Sequence, residues 1–229
     1  MLAPIDILFE HSDFVIVNKP NNIAVQNEKD QSGILPLLCQ QLKLEQLWLV
    51  HRLDKVTSGI LIVAKNPKAA AIFGVLFENK QIEKFYLAIS AKKPKKKQGW
   101  VKGDMEKGRN GSWLLKRSVN NPAITYFNSS AITADQVCTS EEKSSVAKRL
   151  YLVAPKTGKT HQIRVALKSL GCPILGDERY KGAESNRCYL HAFRVAFHWQ
   201  GIEHQYQCEP TQGSWPDLKS IELLNEFFI

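Results

Sequence analysis

The residues best suited to chemistry stand together in one short stretch of the chain, Val50–Gly59. It holds a basic pair, a carboxylate and two hydroxyl groups: His51, Arg52, Asp54, Thr57 and Ser58. The apolar run 60–64 follows directly and predicts a buried strand. A strand fixes where a neighbouring carboxylate points, so this order favours an active-site loop over a solvated surface turn.

Five other segments accompany this stretch, and their order along the chain is informative. They are Phe14–Pro20, Glu83–Ala88, Thr157–Val165, Pro173–Tyr180 and Leu190–Ala192. With His-Arg-Leu-Asp-x-x-Thr-Ser-Gly, they resemble the motif blocks of the RluA-type pseudouridine synthases, in the order in which that family carries them. The resemblance runs from about residue 5 to about residue 210 of the chain.

The resemblance implies an enzyme that isomerises uridine to pseudouridine in RNA. The N-glycosidic bond breaks, the base rotates, and C5 of uracil is joined to the ribose. Nothing is oxidised or added, so no cofactor and no metal are expected. Cleavage of a glycosidic bond builds positive charge on the sugar, which a nearby carboxylate stabilises or attacks. The resemblance assigns that role to Asp54 and leaves open whether it attacks the sugar carbon or removes a sugar proton.

The resemblance also implies roles for the residues around the reaction. Arg164 matches an arginine that pairs with the catalytic aspartate, and Tyr86 a tyrosine that lies against the uracil. Arg52 matches an arginine that fills the gap left when the base flips out of the RNA. Contacts to RNA are further expected from four residues: His51, Thr57, Lys159 and His161. Lys159 stands where the family usually has arginine. Lysine keeps the positive charge but cannot make the bidentate contact that arginine makes.

Charge and composition fit an RNA-binding protein. The formal net charge is +9 and the pI about 9.3, which favours a polyanionic partner, of which nucleic acid is the commonest. The resemblance implies that this partner is ribosomal or transfer RNA. Five positive charges come from the run 92–97, which is either a solvated linker or a phosphate contact. The five scattered cysteines include no Cys-x-x-Cys pair, which argues against a zinc site or a disulfide framework.

Hydropathy predicts a cytoplasmic location, because the chain has no apolar run long enough for a bilayer and no secretory signal. Intermixed strands and helices predict an α+β fold. The resemblance implies a largely antiparallel, bent, mixed sheet with flanking helices and a central catalytic cleft. We expect one catalytic domain over 1–229, without the N-terminal RNA-binding domain that many family members carry, acting as a monomer without an obligate protein partner.

Helices are predicted over 33–44 with Ser32 as candidate N-cap, over 67–79, over 159–170 with Thr157 or Thr160 as alternative starts, and over 217–227. Strands are predicted at 2–9, 14–18, 47–50, 60–64, 82–90, 100–105, 113–118, 123–131 and 150–154. A hairpin is predicted from 189–199 and 203–208, with its turn at Gln200-Gly201. Asn21-Asn22 stand where the family often has glycine, and asparagine tolerates the left-handed turn expected there.

Three other classes of protein compete with this interpretation. Gly158-Lys159-Thr160 looks like the end of a phosphate-binding P-loop, but the glycine that such a loop needs five residues earlier is Val153. A serine hydrolase lacks its Gly-x-Ser-x-Gly elbow. The serious alternative is a protein of the same fold that binds RNA, or acts as an RNA chaperone, without catalysis.

Overall fold

The computed structural model describes residues 4–28, 31–133 and 148–221. In chain order the elements of these ranges are β1 (Asp6–Glu10), β2 (Phe14–Lys19), α1 (Ile34–Leu42), β3 (Trp48–Leu49), β4 (Ser58–Ala64), α2 (Pro67–Glu78), β5 (Glu83–Ser90), β6 (Gln98–Gly103), β7 (Met105–Lys107), β8 (Trp113–Leu115), β9 (Ala123–Ala131), β10 (Arg149–Pro155), α3 (Gln162–Ser169), β11 (Leu190–Trp199) and β12 (Ile202–Gln207). The chain divides into two compact units, Met1–Lys84 with His191–Pro210 and Phe85–Leu190 with Thr211–Ile229.

The first unit is built around β4, whose seven residues are all buried. Strand β2 pairs antiparallel with it along its length, and β1 pairs antiparallel with β2. On the other edge of β4, β11 runs parallel at His191 and Ala192, which face Ser58 and Gly59. The hairpin partner β12 completes this mixed sheet. Because β4 is buried at every position, it gives the Asp54 loop, which directly precedes it, a rigid attachment.

The second unit contains an antiparallel sheet in the order β5-β10-β9-β6. Strand β9 alternates buried and partly exposed residues, so one of its faces packs inward and the other meets solvent. Helix α3 is fastened to β9 by Gln162, whose side-chain amide donates to the carbonyl of Ile124 and to the hydroxyl of Thr125, both at 3.0 Å. The short hairpin β7–β8 is separate from the sheet.

The predicted α+β class is confirmed, and several predicted elements match closely. Helix α2 begins at Pro67, with the side chain of Asn66 accepting from the Ala69 N–H at 2.8 Å. The β11–β12 hairpin turns at Gln200-Gly201, both with positive φ. Asn22 adopts the expected left-handed conformation, with φ of 62°. The prediction of one catalytic domain over 1–229 is a statement about function. The division into two compact units does not test it, so it stays a prediction.

The predicted bounds of two helices are wrong. At α1 the N-cap is Gly33 rather than Ser32, because Gly33 is still extended and the N–H groups of Gly33 and Ile34 donate to Asn27 Oδ1 and to the carbonyl of Ala24, each at 2.9 Å. Helix α3 begins at Gln162 instead of 159, because the side chain of Gln162 accepts from the Lys159 N–H at 2.9 Å and closes the preceding turn.

In the middle of the chain, the strand predicted at 113–118 is shorter than expected, Trp113–Leu115, and the strand predicted at 100–105 lies at Gln98–Gly103. It ends before Asp104, whose carboxylate accepts from the N–H groups of Asn120 and Asn121. At the end of the chain, the predicted helix 217–227 starts as a 3-10 turn at Leu218–Ser220, and residues 222–227 lie outside the described ranges.

Substituting Gly59 tests how tightly β4 and β11 pack at the start of β4. Gly59 has φ of +104°, and a Cβ there would lie 2.3 Å from the carbonyl oxygen of Ala192. We expect Gly59→Ala to lower the free energy of unfolding by more than about 2 kcal/mol, measured by urea denaturation.

The matched control is Gly74→Ala, in α2, where nothing lies within 4 Å of the added Cβ. That change should raise the free energy of unfolding by about 0.5–1 kcal/mol, because alanine favours a helix. Equal effects of the two substitutions would contradict the close approach at Gly59.

Candidate active site

Asp54 lies half-buried at the first position of a tight turn just before β4. The turn closes with the N–H of Thr57 donating to the carbonyl of Asp54 at 2.9 Å. Leu53 is buried on one side of Asp54 and Thr57 on the other, with 5% and 2% exposure, so both ends of the turn are anchored in the core. The carboxylate therefore projects from a backbone that packing holds in place.

A buried ammonium group also binds the backbone of this turn. Lys19, the last residue of β2, is fully buried and donates from Nζ to the carbonyls of Pro20, Ile23 and Lys55 at 2.8, 2.7 and 3.2 Å. The side-chain amide of Asn21 donates to the carbonyl of Val56 at 3.0 Å. Because Lys19 faces Gly59 in the β2–β4 ladder, its side chain reaches the loop that enters β4.

The start of β4 is fixed to β11 by a buried pair of polar side chains. His191 Nε2 donates to the carbonyl of Cys208 at 2.9 Å, and its Nδ1 lies 2.9 Å from the hydroxyl of Ser58. A carbonyl can only accept, so in the uncharged ring Nδ1 accepts from Ser58. Both side chains are almost fully buried, so this serine and histidine connect two strands and do not form a nucleophilic pair.

His51 supports β4 through a neutral ring. Its Nε2 accepts from the Ile62 N–H at 2.9 Å, and the ring packs on Phe77 with centroids 4.9 Å apart. Burial lowers the pKa of His51 to about 3, and the charge of Lys84 acts in the same direction. The ring is uncharged at neutral pH, so it offers no cation to a phosphate. Its contact with RNA stays a prediction without electrostatic support.

The predicted RNA contacts differ in exposure. Arg52 is exposed, as a side chain that enters RNA must be. Thr57 is 2% exposed and closes the Asp54 turn. Lys159 and His161 are half-buried: Lys159 donates from Nζ to the side-chain carbonyl of Asn121 at 2.9 Å, and His161 Nδ1 lies 2.9 Å from the hydroxyl of Tyr180. Arg52 is thus the most exposed of the five predicted contacts.

Arg164 and Tyr86 both lie in the second unit. Arg164 is 5% exposed on α3, and its Nε and Nη2 donate to the two carboxylate oxygens of Asp177, each at 2.8 Å. Tyr86 is 9% exposed on β5, opposite Val153 in the ladder with β10. The pairing of Arg164 with Asp54 that the resemblance implies stays a prediction.

Comparison with known proteins identifies the family. Residues 13–169, more than half of the chain, match the family described as RNA pseudouridylate synthase. The chain belongs to this family. The match begins just before β2 and ends with α3, so it includes the Asp54 turn, Tyr86 and Arg164.

Relatives of this synthase family cover most of the chain. A protein of Haemophilus influenzae named an uncharacterized RNA pseudouridine synthase is 46% identical, over 92% of this chain and 90% of its own. The ribosomal large subunit pseudouridine synthase C of Rickettsia bellii is 35% identical, over 82% of this chain and 62% of its own length. The chain thus spans slightly less than two thirds of the second relative.

Solved structures of family members share the fold. The human RNA pseudouridylate synthase domain containing 1 superposes with a TM-score of 0.77 at 21% identity, covering 97% of this chain and 94% of its own. The human RNA pseudouridylate synthase domain containing 4 gives a TM-score of 0.69 at 27% identity, covering 90% and 89%.

Sequence reasoning missed the residues that hold the others in place: Lys19, Gln162, Asp177 and His191. All four lie inside the matched motif blocks, which is the signal that could have identified them. Their functions were hidden because their partners are mainly backbone carbonyls or side chains from distant segments. Among the described residues, no group of three His, Cys, Asp or Glu side chains could hold a metal, and no helix could cross a membrane.

Removing the Lys19 ammonium should destabilise the first unit. We expect Lys19→Met to lower the free energy of unfolding by about 2 kcal/mol or more, because three partly buried carbonyls lose their charged donor. Lys55→Met is the control, since it removes an exposed ion pair with Glu28 and an exposed hydrogen bond to Gln31 and should cost less than about 1 kcal/mol. Urea denaturation measures both changes. An unchanged unfolding midpoint for Lys19→Met would contradict the support of the turn by the hydrogen bonds of Lys19, which we call the Lys19 clamp.

The neutral ring of His51 should make folding sensitive to acid. The pKa of His51 is lower in the folded protein than its ordinary value of 6.5, so the unfolded chain binds the extra proton. Stability from this group is therefore full above pH 6.5 and falls as the pH drops towards 3. We expect the melting temperature of His51→Gln to fall less steeply over this range than that of the wild type. The exposed His198→Gln should follow the wild type, and parallel curves for all three proteins would refute this role.

Proposed function

We propose that this protein is an RNA pseudouridine synthase that isomerises uridine in structured RNA, with Asp54 as the catalytic carboxylate. The observation that carries the proposal is the Asp54 turn, inside the family match and held by a buried ammonium and a buried strand. A carboxylate held rigidly beside a scissile glycosidic bond is what this reaction needs. Whether Asp54 attacks the sugar or removes a proton from it is left open.

Three further residues take the roles that the family resemblance implies. Arg164, a permanently charged fork in a buried setting, would keep the catalytic carboxylate ionised and oriented. Tyr86 would lie against the uracil ring and assist the exchange at C5. Arg52 would enter the RNA stack in place of the flipped base, and its exposure supports that role.

The charge of the surface supports RNA as the partner. The net charge is +9, and all five lysines of the run 92–97 are exposed in the second unit. Lysines on a surface bind phosphate without reading the base sequence. The Rickettsia relative acts, by its name, on the large ribosomal subunit, so large-subunit ribosomal RNA is the first substrate to test and transfer RNA the second. We propose that the protein acts in the cytoplasm, as a monomer.

The rival function is RNA binding without catalysis. Basic charge is compatible with both functions, but binding alone has no use for a carboxylate that is presented on a clamped turn in a basic protein. An acid placed near phosphates repels them and weakens binding. The retention of Asp54 inside this turn therefore favours catalysis.

Replacing Asp54 separates the two functions. On unmodified transcripts of large-subunit ribosomal RNA and transfer RNA, we expect Asp54→Asn to lower the rate of pseudouridine formation by at least about 1000-fold, because the reacting group is lost. RNA affinity, measured by filter binding, should be retained. Glu45→Gln, an exposed acid of the same unit, is the matched control for the loss of one negative charge. Full activity of Asp54→Asn would refute the assignment.

A further inference from the structure

The side chain of Arg164 is held by the carboxylate of Asp177, with geometry that fixes its orientation. Nε lies 2.8 Å from Oδ2 and Nη2 lies 2.8 Å from Oδ1, a parallel two-point contact. The exposures of the two residues are 5% and 2%. A bidentate contact of this kind determines both the position and the plane of the guanidinium.

A ring contact restrains the same guanidinium in another direction. The Cζ atom of Arg164 lies 5.0 Å from the ring centroid of Tyr180, within range of a cation–π interaction. Tyr180 is itself held at both ends. Its backbone N–H donates to the carbonyl of Asp177 at 3.2 Å, and its hydroxyl accepts from the N–H of Trp113 at 3.0 Å and contacts His161.

The loop that carries Asp177 is locked by its backbone. Gly176 has φ of +74° and packs so closely that a Cβ would lie 1.7 Å from the carbonyl of Arg187. Gly182 is equally confined, with a Cβ position 1.9 Å from the carbonyl of Ile174. Its N–H donates to the carbonyl of Asp177 at 2.8 Å, which closes the loop. A carboxylate on such a loop is a fixed point against which another side chain can be oriented.

From this geometry we propose that Asp177 and Tyr180 are positioning residues, which set the orientation in which Arg164 meets the reacting groups. The inference rests on the proposed function of Arg164. A buried ion pair is weak evidence for stability, since apolar residues of similar volume often stabilise a core as well. The pair is better explained by the demand for one guanidinium orientation, which apolar packing could not impose on a charged group.

The test is a double-mutant cycle on the rate of the chemical step. Single-turnover rates at saturating enzyme are measured on the transcript that the wild type modifies, for Asp177→Asn, Arg164→Lys and the double variant. We expect Asp177→Asn to lower the rate by about 100-fold, because a small displacement of a catalytic group costs that much. In the Arg164→Lys background, the same change should cost no more than about threefold, because coupled residues are not additive.

Binding and a neighbouring charge provide the controls. The dissociation constant for the same transcript should stay the same in Asp177→Asn, so that the loss lies in the rate and not in affinity. Glu178→Gln removes an exposed acid from the adjacent position and should keep the wild-type rate. A purely structural role would instead lower the rate by the same factor in both backgrounds, or would lower affinity and rate together.

Each outcome supports or overturns the inference. If Asp177→Asn keeps the wild-type rate, or if its effect is equal in the two backgrounds, the inference is wrong while the proposed function stands. If Asp177→Asn fails to fold, Tyr180→Leu decides, since it keeps both charges and removes only the ring and hydroxyl. Its rate should fall by about tenfold, the worth of a desolvated cation–π contact, with unchanged affinity; an unchanged rate overturns the inference. A wild-type protein that modifies no transcript would overturn the proposed function itself.

Discussion

Hydrogen bonding by the buried ammonium of Lys19 is the interaction on which the Asp54 turn depends. Removing a charged amine from water is unfavourable unless its hydrogen bonds are replaced. Here carbonyls of Pro20, Ile23 and Lys55 replace them, and the last belongs to the residue after Asp54. The cost of burying the charge is offset only when the turn takes this shape, so the turn and the buried lysine stabilise each other.

In the second unit a buried charged side chain is likewise stabilised by hydrogen bonds to the protein. Arg164 is oriented by Asp177, much as the turn before β4 is held by Lys19. Two histidines complete the support, since a ring nitrogen of His51 binds the backbone of β4 and a ring nitrogen of His191 binds the carbonyl of Cys208. Groups proposed to act on RNA are thereby carried on strands, a helix and closed turns, which position them more accurately than open loops could.

Local patterns were enough to predict much of the fold. Pro67 marked the start of α2, and Gln200-Gly201 marked a hairpin turn, because both features depend on neighbouring residues. The start of α1 depended instead on contacts with residues 24–27, and the break at Asp104 on contacts with Asn120 and Asn121. For the site, motif strings indicated Asp54 and Arg164. The acceptors of Lys19 are backbone carbonyls, which no residue type specifies, so that clamp could not be inferred from sequence.

The central claim is that this protein makes pseudouridine in RNA and uses Asp54 to do so. The most direct measurement is a pseudouridine map of total RNA from cells with and without the gene, complemented with wild type or Asp54→Ala. The account predicts that one or a few sites disappear without the gene, return with the wild type and stay absent with Asp54→Ala. Sites that return fully with Asp54→Ala would contradict the claim.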